Sequence, residues 1–148
     1  MATRPPDGQD LEARLAEVGR RLGEREASHS GALAEARSRA ETLRAEVARA
    51  LEAFHAGAAG AGAPQLRVAL GAVRLDDKHA RALQFDLARG RCAGIVTVKS
   101  RGEVTLVGPF HRGKAEGPCL SFPFEAEVEL RKALGHFLER FLEEAAHP

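Results

Sequence analysis

Residues Arg89–Lys114 read RGRCAGIVTVKSRGEVTLVGPFHRGK. Two apolar runs, Ala93–Val98 and Val104–Val107, lie on either side of KSRG, and basic residues bracket both. Val, Ile and Thr favour strands because branched side chains pack well on a pleated surface. Gly90 in ARGR and Gly102 in KSRG can take the positive φ that tight turns require. The stretch therefore reads as antiparallel strands. Upstream, Leu83, Phe85 and Leu87 alternate with Ala82, Gln84 and Asp86, a strand with one wet face. Asp76–His79 fits the turn before it. Leu66, Val68 and Leu70 keep the same period, which slips at Gly71 before Val73 and Leu75, the mark of a glycine bulge. Downstream, the loop GPFHRGKAEGP leads to a short run CLSFPF and then to a helix near Glu125–Ala146. Leu130, Leu134, Phe137, Leu138, Phe141, Leu142 and Ala145 give that helix one apolar face, and Glu125, Glu127 and Glu129 sit at its dipole-favoured start.

The N-terminal third has a different period. Residues 1–9 are a polar start, and from Asp10 to about residue 56 the chain is rich in Ala, Glu, Arg and Leu. Leu11, Leu15, Val18 and Leu22 are spaced 4, 3 and 4. The pattern resumes at Leu33, Ala36, Ala40, Leu43, Val47, Ala50 and Phe54. Narrow seams of this kind suit a coiled coil that needs a partner helix, so Leu11, Leu15, Val18, Leu22, Leu33, Leu43, Val47 and Phe54 are expected to carry oligomerisation. Between the seams, Glu26 and His29 stand at seam positions within GEREASHSG. That stretch fits a continuous helix with a stutter, or a helical hairpin bending at Ser28–Gly31. GAAGAGAP (57–64) is expected to break the helix, making 57–65 a Gly/Ala linker and 66–146 a separate domain. The fold class expected is α+β: a coiled-coil helix or helical hairpin, a linker, and an antiparallel sheet of four or five strands followed by one amphipathic helix.

Composition narrows the function. The net charge is +1, so the whole chain is no polycation. Residues 66–118, however, carry 10 Lys/Arg against 5 Asp/Glu, while 125–146 carry 3 against 6. The basic charge is concentrated in the sheet. Cys92 and Cys119 form no metal spacing and no disulfide framework, which suits a reduced cytoplasmic setting. The start MATRPPDGQD lacks the apolar core of a signal peptide, and no run reaches the roughly 20 apolar residues of a membrane helix. The six histidines are scattered and read as surface residues. Cys92 lacks an identifiable base, and adjacent Asp76–Asp77 suit a turn better than acid/base work. Gly108–Gly113 followed by Lys114 is not a P-loop, because Ala115 stands where Ser or Thr must follow. No catalytic residue, metal site or cofactor is expected.

The stretches VRLDDKHARALQFDLARGR (73–91), IVTVKSRGE (95–103) and LSFPFEAEVELRKALGHFLERF (120–141) together resemble the PUR repeat, the ββββα unit of purine-rich-element-binding proteins, over about residues 66–143. The resemblance implies two repeats intertwined, here from a homodimer, and a sheet face that binds single-stranded DNA or RNA. Carried onto this sequence, it makes Arg74, Lys78, Arg89, Arg91, Lys99 and Arg101 the phosphate-contacting residues. Two departures stand out. Ala80, Ala82 and Leu83 replace the family's stacking aromatics, and GEVTLVGPFHRGKAEGPC is an added stretch. The expected function is a dimeric single-stranded nucleic-acid-binding protein. The alternative is a non-enzymatic adaptor that meets a protein partner and uses the coiled coil for oligomerisation.

Overall fold

In the computed structural model, the described residues are 7–76, 81–113 and 117–147. The elements run α1 (Asp7–Gly60), β1 (Ala69–Leu70), β2 (Arg74–Leu75), β3 (Ala82–Arg89), β4 (Cys92–Lys99), β5 (Glu103–His111), β6 (Cys119–Pro123) and α2 (Glu127–Ala146). The class is α+β, as the change of period in the sequence implies. Of the two readings of GEREASHSG, the continuous helix is the one found.

The strands form one antiparallel sheet in the order β1-β3-β4-β5-β6, with β2 also on β3. Gly90 turns β3 into β4 at φ +59° and Gly102 turns β4 into β5 at φ +101°. Lys99 C=O accepts the Gly102 N–H at 3.0 Å, closing the KSRG turn. Register puts Leu83, Phe85 and Leu87 beside Val98, Val96 and Gly94, and these beside Val104 and Leu106. One face of the sheet is therefore a continuous apolar floor. A Cβ on Gly94 would come within 2.8 Å of Phe137 Cζ, so glycine lets α2 sit against β4.

The chain divides into two compact units, Met1–Ala32 and Leu33–Pro148. This corrects the boundary expected at the Gly/Ala stretch. Gly57–Gly60 continue the helix, and the connection to the sheet is a short turn in which the Gly62 N–H bonds to Ala59 C=O. The reason is packing. Ala36, Ala40, Leu43, Val47 and Leu51 are buried in the same cluster as Phe85, Val96, Leu134 and Phe141, with Leu33 and Phe54 half-buried against it. The second seam is thus the core-facing stripe of a helix in an α+β core. Leu33, Leu43, Val47 and Phe54, expected to meet another chain, meet this chain's own sheet.

Polar ties fix the same layer. Arg44 on α1 donates through Nε to Gly71 C=O at 2.7 Å, holding the segment between β1 and β2. Gly71 N–H bonds to Asp86 C=O at 2.8 Å across the parity slip read in the sequence. Arg131 on α2 pairs with Glu46 on α1 at 3.0 Å, and the Arg39 guanidinium lies 4.2 Å from the Phe124 ring centroid.

The unit Met1–Ala32 is helical over its described residues. Leu11, Leu15 and Leu22 remain 52%, 58% and 48% exposed, and Val18 is half-buried. Arg20 joins Glu17 and Glu24 on its surface, the latter at 2.7 Å. Ion pairs spaced three and four residues apart support such a helix only weakly when exposed.

Candidate functional site

The second face of the sheet carries the side chains of opposite parity. At one register, Arg74, Gln84, Thr97, Thr105 and Ser121 form a polar row across five strands. None of these belongs to the apolar cluster that both helices enter. The helices therefore pack on the opposite face of the sheet from this row. The row is short of available groups, however. Thr97 and Thr105 are buried at the centre, and Thr105 Oγ1 and Ser121 Oγ hydrogen-bond at 2.9 Å. No aromatic occupies the row, so it offers no base-stacking platform.

The expected phosphate-contacting residues do not gather there. Arg89 and Arg91 flank the β3–β4 turn at one end of the sheet, and Lys99 and Arg101 lie at the β4–β5 turn at the other. The eight residues of β4 separate the two ends by about 25 Å at 3.3 Å per residue. Arg74 lies on the β2 edge, and Lys78 is outside the described residues.

Most of these cations already have partners. Arg74 reaches Asp86 Oδ1 at 2.9 Å. Lys99 and Arg101 share Glu103 Oε1 at 3.2 and 3.3 Å. The Lys99 hydrogen bond, helped by Arg101, holds the Glu103 carboxyl below its usual range. The Arg89 guanidinium donates to Ala145 C=O, one of the carbonyls left open at the end of α2. Arg91 is exposed, and its carbonyl accepts the Arg112 N–H at 2.8 Å. Among the described residues neither Arg91 nor Arg112 has an ion pair, and their backbones adjoin at one end of the sheet.

One histidine departs from the surface reading. His55 is buried, and its Nε2 accepts the Val68 N–H at 3.0 Å. The neutral ring therefore carries its proton on Nδ1, which lies 3.6 Å from Glu52 Oε1 and has no hydrogen-bond partner. Its heptad-adjacent position on α1 gave no signal of this, because Val68 is 13 residues away. The role is to anchor the chain as it leaves α1.

Cys92 is buried in the core, where desolvation, with Glu144 nearby, pushes its thiol pKa up. Cys119 is exposed on β6. Among the described residues, no three His, Cys, Asp or Glu side chains are grouped to hold a metal ion, and no helix is long and apolar enough to cross a membrane.

Two grooves line the helical layer. One of about 210 Å³ lies between α1 and α2 over Val104 and Phe124, and the charged pairs of Arg39, Glu46, Glu127 and Arg131 bound it. The other, of about 390 Å³, lies between α2 and β6, with Leu106, Leu120, Ala133 and Phe137 as its apolar wall. The sequence gives no motif for either, because each joins residues far apart in the chain.

No family model matches this chain, and no curated protein or solved structure matches it significantly.

Proposed function

We propose that the chain is a non-enzymatic assembly module in which the helical segment Asp7–Ala32 pairs with the same segment of a second copy. Leu11, Leu15, Val18 and Leu22 form the contact. The supporting observation is the exposure of three leucines along one heptad stripe. Single exposed leucines are ordinary on protein surfaces, but a stripe at 4-3-4 spacing is the pattern of a helix-pairing seam. The α+β unit has its own core and is the head that this pairing multiplies. A reduced cytoplasmic setting belongs to the same reading, and the free thiols of Cys92 and Cys119 suit it.

Sedimentation of the full chain and of a Leu15→Glu/Leu22→Glu variant tests this. Fully burying one leucine is worth about 1.5–3 kcal/mol. The double variant should therefore raise the dissociation constant of the pair at least about tenfold, which corresponds to about 1.4 kcal/mol. Unchanged self-association would overturn the seam.

A second reading keeps the PUR-like resemblance: single-stranded DNA or RNA crosses the end of the sheet at Arg91 and Arg112. It is favoured by these two exposed cations lacking carboxylate partners among the described residues. Binding that rests on phosphates weakens as salt rises. Arg91→Glu/Arg112→Glu should abolish oligonucleotide binding at low salt, whereas Lys99→Ala should change it little because Glu103 already occupies Lys99.

A further inference from the structure

The outer edge of the sheet is β6, Cys119–Pro123, and it carries none of the usual edge protection by charge. Its Leu120 is 57% exposed although its parity is that of the apolar floor. Beside it lies the 390 Å³ groove under α2.

The hydrogen-bond phase of this edge follows from its inner neighbour. Gly108 N–H bonds to Pro118 C=O at 2.7 Å, and Phe124 N–H bonds to Gly102 C=O at 2.9 Å. Hydrogen-bonded pairs recur every second residue in an antiparallel ladder, so Leu120 and Phe122 also direct their backbone groups inward, to Leu106 and Val104. Cys119, Ser121 and Pro123 direct theirs outward. The free edge then offers N–H groups at Cys119 and Ser121, and C=O groups at Cys119, Ser121 and Pro123.

We propose that this edge pairs antiparallel with β6 of a second copy about a two-fold axis at Ser121. The pattern is self-complementary there. Each Ser121 N–H meets the partner's Ser121 C=O, and each Cys119 N–H meets the partner's Pro123 C=O. Four backbone bonds form, and Pro123 stands at an end where its missing N–H leaves only one Cys119 carbonyl per copy unbonded. On the helical side, Leu120 falls opposite the partner's Phe122 in a non-hydrogen-bonded pair, the closer of the two pair types. Those two pairs cover Leu120 and close the mouth of the groove.

Charge fits the same axis. Toward the groove, α2 presents Glu129 near its start, then Lys132, His136 and Arg140. The two-fold axis sets the two α2 helices antiparallel, so the acidic start of each faces the basic later turns of the other. Arg140 also reaches Glu144 of its own helix at 3.6 Å, an exposed contact of little weight. This contact is independent of the seam at Leu11–Leu22, and the two can fail separately.

Disulfide trapping in the full chain tests the register. The axis sets Ser121 opposite its copy, with Cα atoms about 5.5 Å apart, inside the range a disulfide spans. Cys119 lies four residues out of register with its copy, on the order of 14 Å away at 3.3 Å per residue. Under mild oxidation, Cys119→Ser/Ser121→Cys should yield covalent dimer at least tenfold faster than wild type or a Cys119→Ser/Glu125→Cys control. Adding Leu120→Asp should remove that dimer, while circular dichroism reports that the fold is kept. Equal trapping at positions 119, 121 and 125 would overturn the register, since it would report proximity through the helical segment alone. A Ser121→Cys chain that forms no covalent dimer under the same oxidation, whatever its association through the helical seam, would overturn the pairing and leave the edge and groove to a different occupant, such as an apolar helix.

Discussion

His55 joins a residue-level choice to the fold. Its Nε2 is the acceptor for the buried Val68 N–H, so an apolar replacement strands that donor. His55→Leu should destabilise the chain by about 1–3 kcal/mol in denaturant unfolding, the usual cost of a buried unsatisfied group. Gly94→Ala should also destabilise, by roughly 1–3 kcal/mol, because the added Cβ enters the space of Phe137. The cysteines should differ in chemistry: a thiol reagent under native conditions should modify Cys119 quickly and Cys92 only on unfolding, since Cys92 is buried with a raised pKa. Glu103 is one acid-sensitive site of the sheet. Its pKa is depressed in the fold, so its contribution is present above the unfolded carboxylate value, about 4.3, and lost as pH falls through the folded value. The stability difference between wild type and Glu103→Gln should therefore be seen at neutral pH and shrink as pH falls below the unfolded carboxylate value.

At the scale of elements, period was legible and partnership was not. Alternation at Leu83, Phe85 and Leu87 and around Ile95–Val98 identified the strands. The parity slip at Gly71 marked where the chain shifts along β3. The helical repeat of Leu130–Ala145 identified the buried face of α2. The seam Leu33–Phe54 misled because 4-3 spacing describes any narrow apolar stripe; a sheet can cover it as well as a second helix can. Gly57–Gly60 misled because glycine lowers helix propensity by only about 1 kcal/mol per residue, which a helix anchored by Leu51 and His55 tolerates. The basic residues looked like one cluster in the sequence because turns 10 residues apart lie close in number. An eight-residue strand places those turns at opposite ends, and the carboxylates of Asp86 and Glu103 lie across the ladder. The edge chemistry of β6 was invisible in CLSFPF, since it depends on which neighbour each backbone group faces.

For the molecule as a whole, the two self-contacts proposed use different surfaces and have separate signatures. Charging Leu15 and Leu22 weakens the helical seam, and charging Leu120 weakens the sheet edge. Two isologous contacts on one chain either close within one dimer or link dimers into larger assemblies, and geometry selects between these. The proposed helical seam is the contact to test first, because its leucines are exposed on a segment whose described residues include no buried side chain. Sedimentation equilibrium of the full chain across the micromolar range tests it most directly. A mass at least twice the 15.9 kDa of one chain, falling when Leu15 and Leu22 are both changed to Glu, is the result predicted. A 15.9 kDa monomer throughout that range would contradict it.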